Sequence, residues 1–373
     1  MPRPLVLLTV VSFLVGCSHS SDVSSARGLV LYTKGLSSDP YGNSKPAGFG
    51  VVAGIGTPGQ RKFEIEGKGL GSFGGAEWLP DERMLVPRPA PPIRRPFLYR
   101  FANGAVRLLG SSPVPALEPG ASWSRDGKLI ASQPIEPCKK RQRMVWRCYR
   151  GSGRILVRHA DGSHPRVVAR ARFLNVDSWT PDGRVLVTSG HTYVALDVQT
   201  GRRSFPLAPW RVTARLGLRH VWLSAPHWSA DGRYVAAMLS GGDFPKRPRV
   251  SGAFLLAHAD GGPIRLVTSP SIISMFAWSP VGHRLAYTTS GFPAPHELLV
   301  LDTPKARPRP LLVTTRHFDW ITWSPDGRRL LLDDEHQNSW RLVWASGRSR
   351  IQSVSRLGGR PLWCCPVNHY ATS

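Results

Sequence analysis

One short motif recurs along the chain at nearly constant spacing, and it constrains the fold more than any other feature. Its most complete copy reads Trp-Ser-Pro-Asp-Gly at residues 323–327, and an apolar segment follows it directly. Successive copies place their Trp residues 45, 56, 49, 50, 45 and 40 residues apart. Such self-similarity is typical of repeat architectures, in which each unit buries its apolar face only against its neighbours. The repeat therefore predicts one array rather than the two separate domains that 373 residues would otherwise suggest.

The motif has the composition of a tight turn that leads into a strand. Ser suits the first position of a type I turn, Pro fixes φ at the second, and Gly tolerates a positive φ at the last. The Trp side chain is a large apolar wedge with one N–H group, which suits a buried contact between repeats. Four copies retain all three marker residues, which we assign to structural turns: Trp123, Asp126, Gly127, Trp179, Asp182, Gly183, Trp228, Asp231, Gly232, Trp323, Asp326 and Gly327.

Three further copies are degraded. In the copy at Trp278, Val281 replaces the Asp, and in the copy at Trp78, Glu82 replaces the Gly. The copy at Trp363 keeps little beyond its Trp. Because the Asp residues recur so regularly in the well-preserved copies, we interpret them as turn chemistry and not as a binding site.

A second turn lies between successive Trp motifs and is flanked by apolar segments, as at Asp161-Gly162. That pattern is the signature of a β-hairpin. Each period thus supplies four strands, which is the content of one propeller blade. The first hairpin has no Trp motif before it, and Trp363 has no hairpin after it, so the two chain ends are expected to complete one blade. The prediction is an all-β propeller of seven four-stranded blades, with six blades as the alternative.

The repeat resembles the WD-like propeller repeats of TolB-type bacterial proteins over roughly residues 28–366. The resemblance implies a propeller fold and, commonly, a protein-binding platform; related propellers also serve as accessory domains of serine peptidases and, less often, as lyases. The chain contains no Gly-x-Ser-x-Gly elbow, no His-Glu-x-x-His pair, no phosphate-binding Gly loop and no zinc-type Cys/His spacing. We therefore assign no catalytic residue, no metal site and no cofactor, and leave open whether the chain is an enzyme.

The first 27 residues have the pattern of an export signal followed by a tether. Residues 5–15 form an apolar run that is too short to span a bilayer, which takes about 20 residues, but has the length of a secretory signal. The segment Leu14-Val15-Gly16-Cys17 resembles the lipobox of bacterial lipoproteins, which implies a lipid on Cys17; an ordinary signal peptide is the alternative. We divide the chain into a signal peptide (1–16), a lipidated Cys17 with a flexible tether (17–27) and one propeller domain (28–373). The predicted location is exported and lipid-anchored to a bacterial membrane, facing the periplasm or the cell exterior.

Cys138 and Cys148 bracket a nine-residue insert in the longest repeat step. We predict a disulfide between them, because exported proteins retain such bonds. The insert forms a candidate binding loop for a polyanion or a partner surface, on account of Lys139, Lys140, Arg141, Arg143, Trp146 and Arg147. The alternative is a solvated insert with its Trp packed on the blade. Cys364 and Cys365 are adjacent, and three states are open to them: a vicinal disulfide, free thiols, or pairing elsewhere.

The formal net charge is +25, from 49 basic and 24 acidic residues. Such a balance favours polyanionic partners, although an Arg-rich composition also arises from the base composition of a genome. Export argues against nucleic acid as the partner. The predicted function is a monomeric, membrane-anchored scaffold that binds a protein or an anionic envelope polymer. The alternative is a lyase or hydrolase of acidic polysaccharide, for which His227 and His317 are candidate channel residues; the acidic run at 333–335 is either a cation site or a solvated loop.

Overall fold

The computed structural model describes residues 28–34, 48–55, 60–66, 77–79, 82–86, 97–103, 105–112, 121–136, 150–151, 153–170, 174–189, 192–204, 221–241, 252–259, 264–290, 295–318, 320–334, 339–347, 352–355 and 361–364. These ranges contain strands, turns and bends. A search of the same ranges finds no helix with the length and apolar character needed to cross a membrane.

Twenty-eight strands form seven antiparallel sheets of four, which are the blades of a propeller. From the innermost strand outwards, the blades comprise the following strands: blade 1, β30 (Leu362–Trp363), β1 (Val30–Lys34), β2 (Gly48–Ala53) and β3 (Arg61–Glu66); blade 2, β4 (Glu77–Trp78), β5 (Arg83–Val86), β6 (Phe97–Ala102) and β7 (Ala105–Ser111); blade 3, β8 (Ser122–Trp123), β9 (Leu129–Ser132), β12 (Arg154–His159) and β13 (Arg166–Arg170); blade 4, β14 (Leu174–Trp179), β15 (Val185–Ser189), β16 (Thr192–Leu196) and β17 (Arg203–Ser204); blade 5, β18 (Val221–Trp228), β19 (Tyr234–Gly241), β20 (Gly252–His258) and β21 (Ile264–Ser269); blade 6, β22 (Ile272–Trp278), β23 (Leu285–Ser290), β24 (His296–Leu301) and β25 (Arg309–Thr314); blade 7, β26 (Trp320–Trp323), β27 (Arg329–Asp334), β28 (Ser339–Trp344) and β29 (Gln352–Ser355). A further two-stranded hairpin, β10 (Ile135–Glu136) and β11 (Arg150–Gly151), extends from blade 3.

The ring closes where the two ends of the chain meet in blade 1. Its innermost strand, β30, comes from the C-terminal end, and Leu31 pairs with Leu362 across the junction. Innermost strands of neighbouring blades contact each other, as β22 contacts β26 and β26 contacts β30. The arrangement confirms the seven-bladed ring closed by both terminal strands, and it rules out the six-bladed alternative. Closure gives β1 a partner in β30, so that β1 is not left as an open edge, while the outermost strand of each blade remains a short edge, as is typical of propellers.

The hydrophobic core lies between the blades rather than at a single centre. Strand β20 shows this most clearly, because its residues from Gly252 to Ala257 are all buried. In one cluster, Leu298 and Val300 of blade 6 pack against Leu330 and Leu332 of blade 7. Each blade therefore buries its apolar faces only when its neighbours are present, as the repeat pattern requires.

The Trp motif forms the turn between the first and second strands of a blade. In blade 7, Ser324 Oγ donates to Asp326 Oδ1 at 2.5 Å, and the Gly327 N–H donates to the Ser324 carbonyl at 2.8 Å. The Arg329 N–H donates to Ser324 Oγ at 2.9 Å and so joins the turn to the following strand. Gly327 has a φ of +62°, which explains why Gly ends the motif. The turns at Ser124, Thr180 and Ser229 repeat the side-chain bond to Asp.

The motif Trp residues link each blade to the one before it. The Trp179 indole N–H donates to the Ser122 carbonyl at 2.9 Å, and that of Trp278 donates to the His227 carbonyl at 2.8 Å. In both cases the acceptor is the residue immediately before the Trp of the preceding blade. The same bond joins two further blade pairs: Trp78 to Leu362 and Trp323 to Ala277. The motif therefore forms a turn within its own blade and a hydrogen bond to the preceding blade. We call this inter-blade indole hydrogen bond the clasp.

At the closing blade the clasp changes. The Trp363 indole N–H is buried and has no hydrogen-bond partner in the described chain. Trp320 of blade 7 donates instead to the Pro361 carbonyl at 3.0 Å, so the junction between blades 7 and 1 keeps one indole bond in the opposite direction.

The degraded turn of blade 2 predicts a stabilising substitution. Glu82 occupies the position of the motif Gly and has a φ of +65°, which a side chain with a Cβ adopts only with strain. We expect Glu82→Gly to raise the free energy of unfolding by about 1 kcal/mol, measured by urea denaturation. Glu82→Ala is the control, because it removes the same carboxylate but keeps the Cβ. An equal gain in both variants would show that charge, and not backbone strain, sets the effect.

Candidate functional site

The strand order gives the ring two unlike ends. At one end, the turn end, lie the Trp-motif turns and the hairpins between the third and fourth strands of each blade. At the other end, the loop end, lie the connections between the second and third strands and the connections from one blade to the next. The loop-end connections include the longest segments of the array, such as 35–47 and 205–220. Long connections on a rigid scaffold are where binding residues concentrate.

The charge of the chain is divided very unequally between the two ends. The loop-end connections contain 21 basic and 6 acidic residues, counting the hairpin extension of blade 3. The turn-end connections contain 11 basic and 10 acidic residues. The loop-end connections are also longer, with 117 residues against 70, so basic residues are about equally frequent at the two ends. The difference lies in the acidic residues, which are scarce at the loop end and include the turn Asp residues at the turn end. The net charge is therefore +15 for the loop-end connections (21 − 6) and +1 for the turn-end connections (11 − 10).

In the described part of the chain, blade 3 has two positively charged residues side by side at the loop end. Arg154 begins β12, Arg170 ends β13, and the two residues are directly opposite each other in the register. Both are exposed. Two exposed guanidinium groups on neighbouring strands give this edge of the blade a local positive charge.

The basic insert begins just beyond these two arginines. Glu136 pairs with Arg150 in the hairpin of β10 and β11, which forms the base of the insert. The predicted binding-loop residues lie outside the described residues, as do Cys138, Cys148 and Cys17. Cys138 follows Glu136 by two residues and Cys148 precedes Arg150 by two residues in the chain, and the disulfide between them stays a prediction.

One carboxylate on an innermost strand has an unusual environment. Asp177 lies in β14 at a register shift between Val176 and Ser178, which marks a β-bulge. Burial raises the pKa of Asp177 to about 6, and no ion pair or hydrogen bond of its carboxylate occurs among the described residues. Bulges redirect side chains and occur near active sites. Periodicity arguments missed this residue, because a bulge interrupts the alternation that they use.

The histidines that the structure describes occur in separate places. His296 and His317 lie on the loop-end side of blade 6 with ring centroids 5.2 Å apart, and burial followed by the neighbouring His317 lowers the pKa of His296. His227 contacts the ring of Phe276 at 5.1 Å, and burial lowers its pKa to about 3. Among the described residues, no group of three or more His, Cys, Asp or Glu side chains is placed to hold a metal ion.

One side-chain pair joins blades at the turn end. His283 Nε2 is hydrogen-bonded to Asp231 Oδ2, and the His283 ring lies 5.0 Å from that of Tyr234. Burial alone would raise the pKa of Asp231, but hydrogen bonds from His283 and Ser229 outweigh it and lower the pKa to about 2. Val281 has displaced the Asp of the blade 6 motif, so this blade uses His283 to reach the intact turn of blade 5. We interpret the pair as a structural link between blades 5 and 6.

The structure bears on two further sequence-based interpretations, one in blade 7 and one where the chain ends meet in blade 1. The acidic run at 333–335 is not a solvated loop as a whole, because Asp333 is buried and belongs to β27 together with Asp334. Cys364 is buried and disulfide-bonded, to a cysteine outside the described residues. Its backbone N–H also donates to the Leu29 carbonyl at 2.7 Å, so this residue contributes to ring closure.

No protein-family model and no curated protein matches the chain, whereas many solved structures do. An oligogalacturonate lyase in complex with manganese is 12% identical, with 88% of this chain and 96% of that chain covered and a TM-score of 0.55. The periplasmic gluconolactonase of Pseudomonas aeruginosa is 17% identical, with 90% and 97% covered and a TM-score of 0.51. A TolB-type structure from Agrobacterium tumefaciens is 13% identical, with 80% and 94% covered and a TM-score of 0.44. At these identities the likeness concerns the fold alone, and the strand order identifies that fold as the seven-bladed β-propeller that the repeat predicted.

Proposed function

We propose that the chain is an exported, lipid-anchored binding platform whose loop end holds an anionic polymer of the cell envelope. The observation that carries the proposal is the unequal division of charge, with 21 basic and 6 acidic residues at the loop end against 11 and 10 at the turn end. The exposed Arg154 and Arg170 extend this positive character onto the blade itself. A polymer matches such a face better than a small anion, because the basic residues are spread over the connections of several blades.

Export supports an envelope polymer over nucleic acid as the occupant. The N-terminal pattern ending in Cys17 is that of a lipoprotein signal. One structural neighbour is itself described as periplasmic, and the propeller fold is thus compatible with that compartment.

The proposal is tested by polymer binding to the soluble chain from residue 18 onwards. Polygalacturonate supplies carboxylates, a polyglycerol phosphate supplies phosphodiesters, and dextran serves as the neutral control. We expect binding of both anionic polymers with an affinity that falls steeply as salt rises, and no binding of dextran. Equal binding of dextran, or no binding of either polyanion at low salt, would overturn the proposal.

Charge reversal at blade 3 should weaken this binding. We expect the double variant Arg154→Glu/Arg170→Glu to bind polygalacturonate at least about thirtyfold more weakly, because each basic residue near an anionic surface contributes about 1 kcal/mol and the loss of two corresponds to about 2 kcal/mol. The matched control is Lys305→Glu/Arg307→Glu, which makes the same change in net charge at exposed positions of the turn end. Equal losses in both variants, measured by titration calorimetry, would mean that net charge and not a defined face determines affinity.

A second candidate function is an enzyme that cleaves an acidic polysaccharide. The specific observation in its favour is Asp177, a half-buried carboxylate with a pKa near 6 on an innermost strand. A group with that pKa is able to act as a general acid or base near neutral pH. Turnover of polygalacturonate by the wild type, lost in Asp177→Asn with binding retained, would establish this alternative. Binding without turnover would leave the platform as the function.

A further inference from the structure

We propose that blade 2 binds a phosphate-type oxyanion on a row of three arginines at the turn end. The row consists of Arg83 at the start of β5, Arg100 in β6 and Arg107 in β7, all of which the structure describes. The site lies away from the loop-end connections, so its test is independent of the polymer binding proposed above.

The strand register places the three arginines side by side. Arg83 is directly opposite Arg100 in the β5–β6 pair, and Arg100 is directly opposite Arg107 in the β6–β7 pair. Directly opposite residues project from the same face of a sheet, with Cβ atoms about 5 Å apart. Three positive charges therefore start from a line about 10 Å long that crosses the blade to its outermost strand.

The face that carries the row is the one that packs on blade 3. Leu85 follows Arg83 by two residues and Leu98 precedes Arg100 by two, so both leucines lie on the face of the row. They pack in one cluster with Trp123 of blade 3. The row therefore lies where the interface between blades 2 and 3 reaches the turn end.

The outer part of the row is open to a ligand. Arg100 and Arg107 are exposed, whereas Arg83 is partly exposed. The guanidinium groups of Arg100 and Arg107 have neither an ion pair nor a hydrogen bond to any residue that the structure describes. Their donors are therefore available to an anion from outside the chain.

The repeat contains the same row with an acid at its centre. Equivalent arginines begin it in three blades, where each carbonyl accepts the N–H of the residue after the motif Trp: Arg83, Arg184 and Arg284. In blade 6, the next position of the row is Asp302, opposite Arg284. Arg309 completes that row, with its Nε and Nη2 atoms each 3.2 Å from a carboxylate oxygen of Asp302.

Blade 4 repeats the arrangement of blade 6. Asp197 is opposite Arg184, and its N–H donates to the carbonyl of Arg202 at 2.9 Å. In blade 2 the central position is taken by Arg100. Blade 2 thus keeps an arginine on either side of the centre and replaces the acid between them with a third positive charge.

A phosphate-type group has the chemistry that the row lacks. The guanidinium fork presents paired N–H donors that match two oxygens of a phosphate or carboxylate. Near neutral pH a phosphate group carries a charge of about −1.5 to −2, which exceeds that of a carboxylate. A bound phosphate would therefore supply the negative charge that an Asp supplies in blades 4 and 6, and would balance more of the row than one carboxylate.

The test is the binding of diphosphate to the chain from residue 17 onwards, with Cys17→Ser to keep it in solution. Titration calorimetry at constant ionic strength supplies the affinity. We expect Arg100→Asp to bind diphosphate at least about tenfold more weakly than the wild type, because it restores the acid of blades 4 and 6. Arg107→Gln should weaken binding by at least about fivefold, because it removes one charged donor group.

Lys305→Asp is the matched control. It makes the same change in net charge as Arg100→Asp, at an exposed position of the turn end in blade 6. Its affinity should stay within about twofold of the wild type, because solvent and salt screen distant charges. Equal affinity in the wild type and Arg100→Asp would overturn the proposal, and so would an equal loss in Lys305→Asp.

The stability of Arg100→Asp shows whether this variant folds. Opposite charges directly across a strand pair stabilise a sheet, whereas like charges destabilise it. We therefore expect its melting temperature without diphosphate to exceed that of the wild type by about 2 °C. If Arg100→Asp does not fold, Arg107→Gln decides the question, because it changes an exposed residue of an outermost strand.

Vesicles of phosphatidylcholine, with and without phosphatidic acid, separate two sources of the phosphate. Binding to phosphatidic acid that falls in Arg100→Asp and persists in Lys305→Asp would assign the row to a lipid headgroup. Diphosphate binding with the same dependence on Arg100, without such vesicle binding, would assign it to a soluble phosphate compound. Neither form of binding in the wild type would overturn the proposal and leave the polymer-binding function untouched.

Discussion

Replacing Trp323 by Phe should lower the free energy of unfolding by about 3 kcal/mol, whereas replacing Trp363 by Phe should lower it by less than about 1 kcal/mol. Both changes remove part of a buried indole and leave a small cavity. In Trp323→Phe the loss of the inter-blade hydrogen bond to the Ala277 carbonyl is added to that cost. In Trp363→Phe a buried N–H without a partner is removed, which offsets the cavity.

The two positions are matched in burial and in the cation over the ring. Trp323 is 5% exposed and Trp363 is 4% exposed. An arginine lies over each ring, Arg284 over Trp323 and Arg329 over Trp363, with the guanidinium carbon 5.4 Å from the ring centroid in both cases. The difference between the two variants therefore isolates the indole hydrogen bond. Equal losses on urea denaturation would show that the clasp contributes packing alone.

The fold could be predicted from the sequence because its signals are local and repeated. The turn chemistry of Ser324 to Gly327 lies within four residues, and each period repeats it. Blade number and closure follow from the order of turns and hairpins, since the first hairpin lacks a Trp motif and Trp363 lacks a hairpin. Local signals of this kind do not depend on how the blades pack.

The features that join blades could not be predicted in the same way. The bond from Trp179 to Ser122 links residues 57 positions apart, and its direction depends on the orientation of one blade relative to another. Asp333 looked solvated because acidic residues follow it, yet the strand continues through it and buries it. The net charge of +25 did not by itself predict a positively charged loop end, because the position of each charge depends on which connections share an end of the ring.

The stability of the chain should depend on pH through Asp177. Its pKa is about 6 in the folded ring, against an ordinary value of 3.8, so the folded state binds the proton more tightly than the unfolded chain. The protonated carboxyl group therefore stabilises the folded ring fully below about pH 4, and this stabilisation is lost as pH rises through 6. A shift of about two pKa units corresponds to about 2 to 3 kcal/mol. We expect Asp177→Asn to match the wild type at pH 4 and to exceed its stability by that amount at pH 7.5.

Asp197 supplies a control of opposite sign. Backbone hydrogen bonds from Thr200, followed by its side chain, lower the pKa of this exposed turn carboxylate. Asp197→Asn should therefore lose stability at neutral pH and regain parity in acid. A gain at pH 7.5 confined to Asp177→Asn would mean that the ring retains a carboxylate against its own stability, as functional sites do. If Asp177→Asn gains nothing at pH 7.5, the carboxylate is solvated in the folded ring, and the case for an acid–base role near neutral pH fails with it.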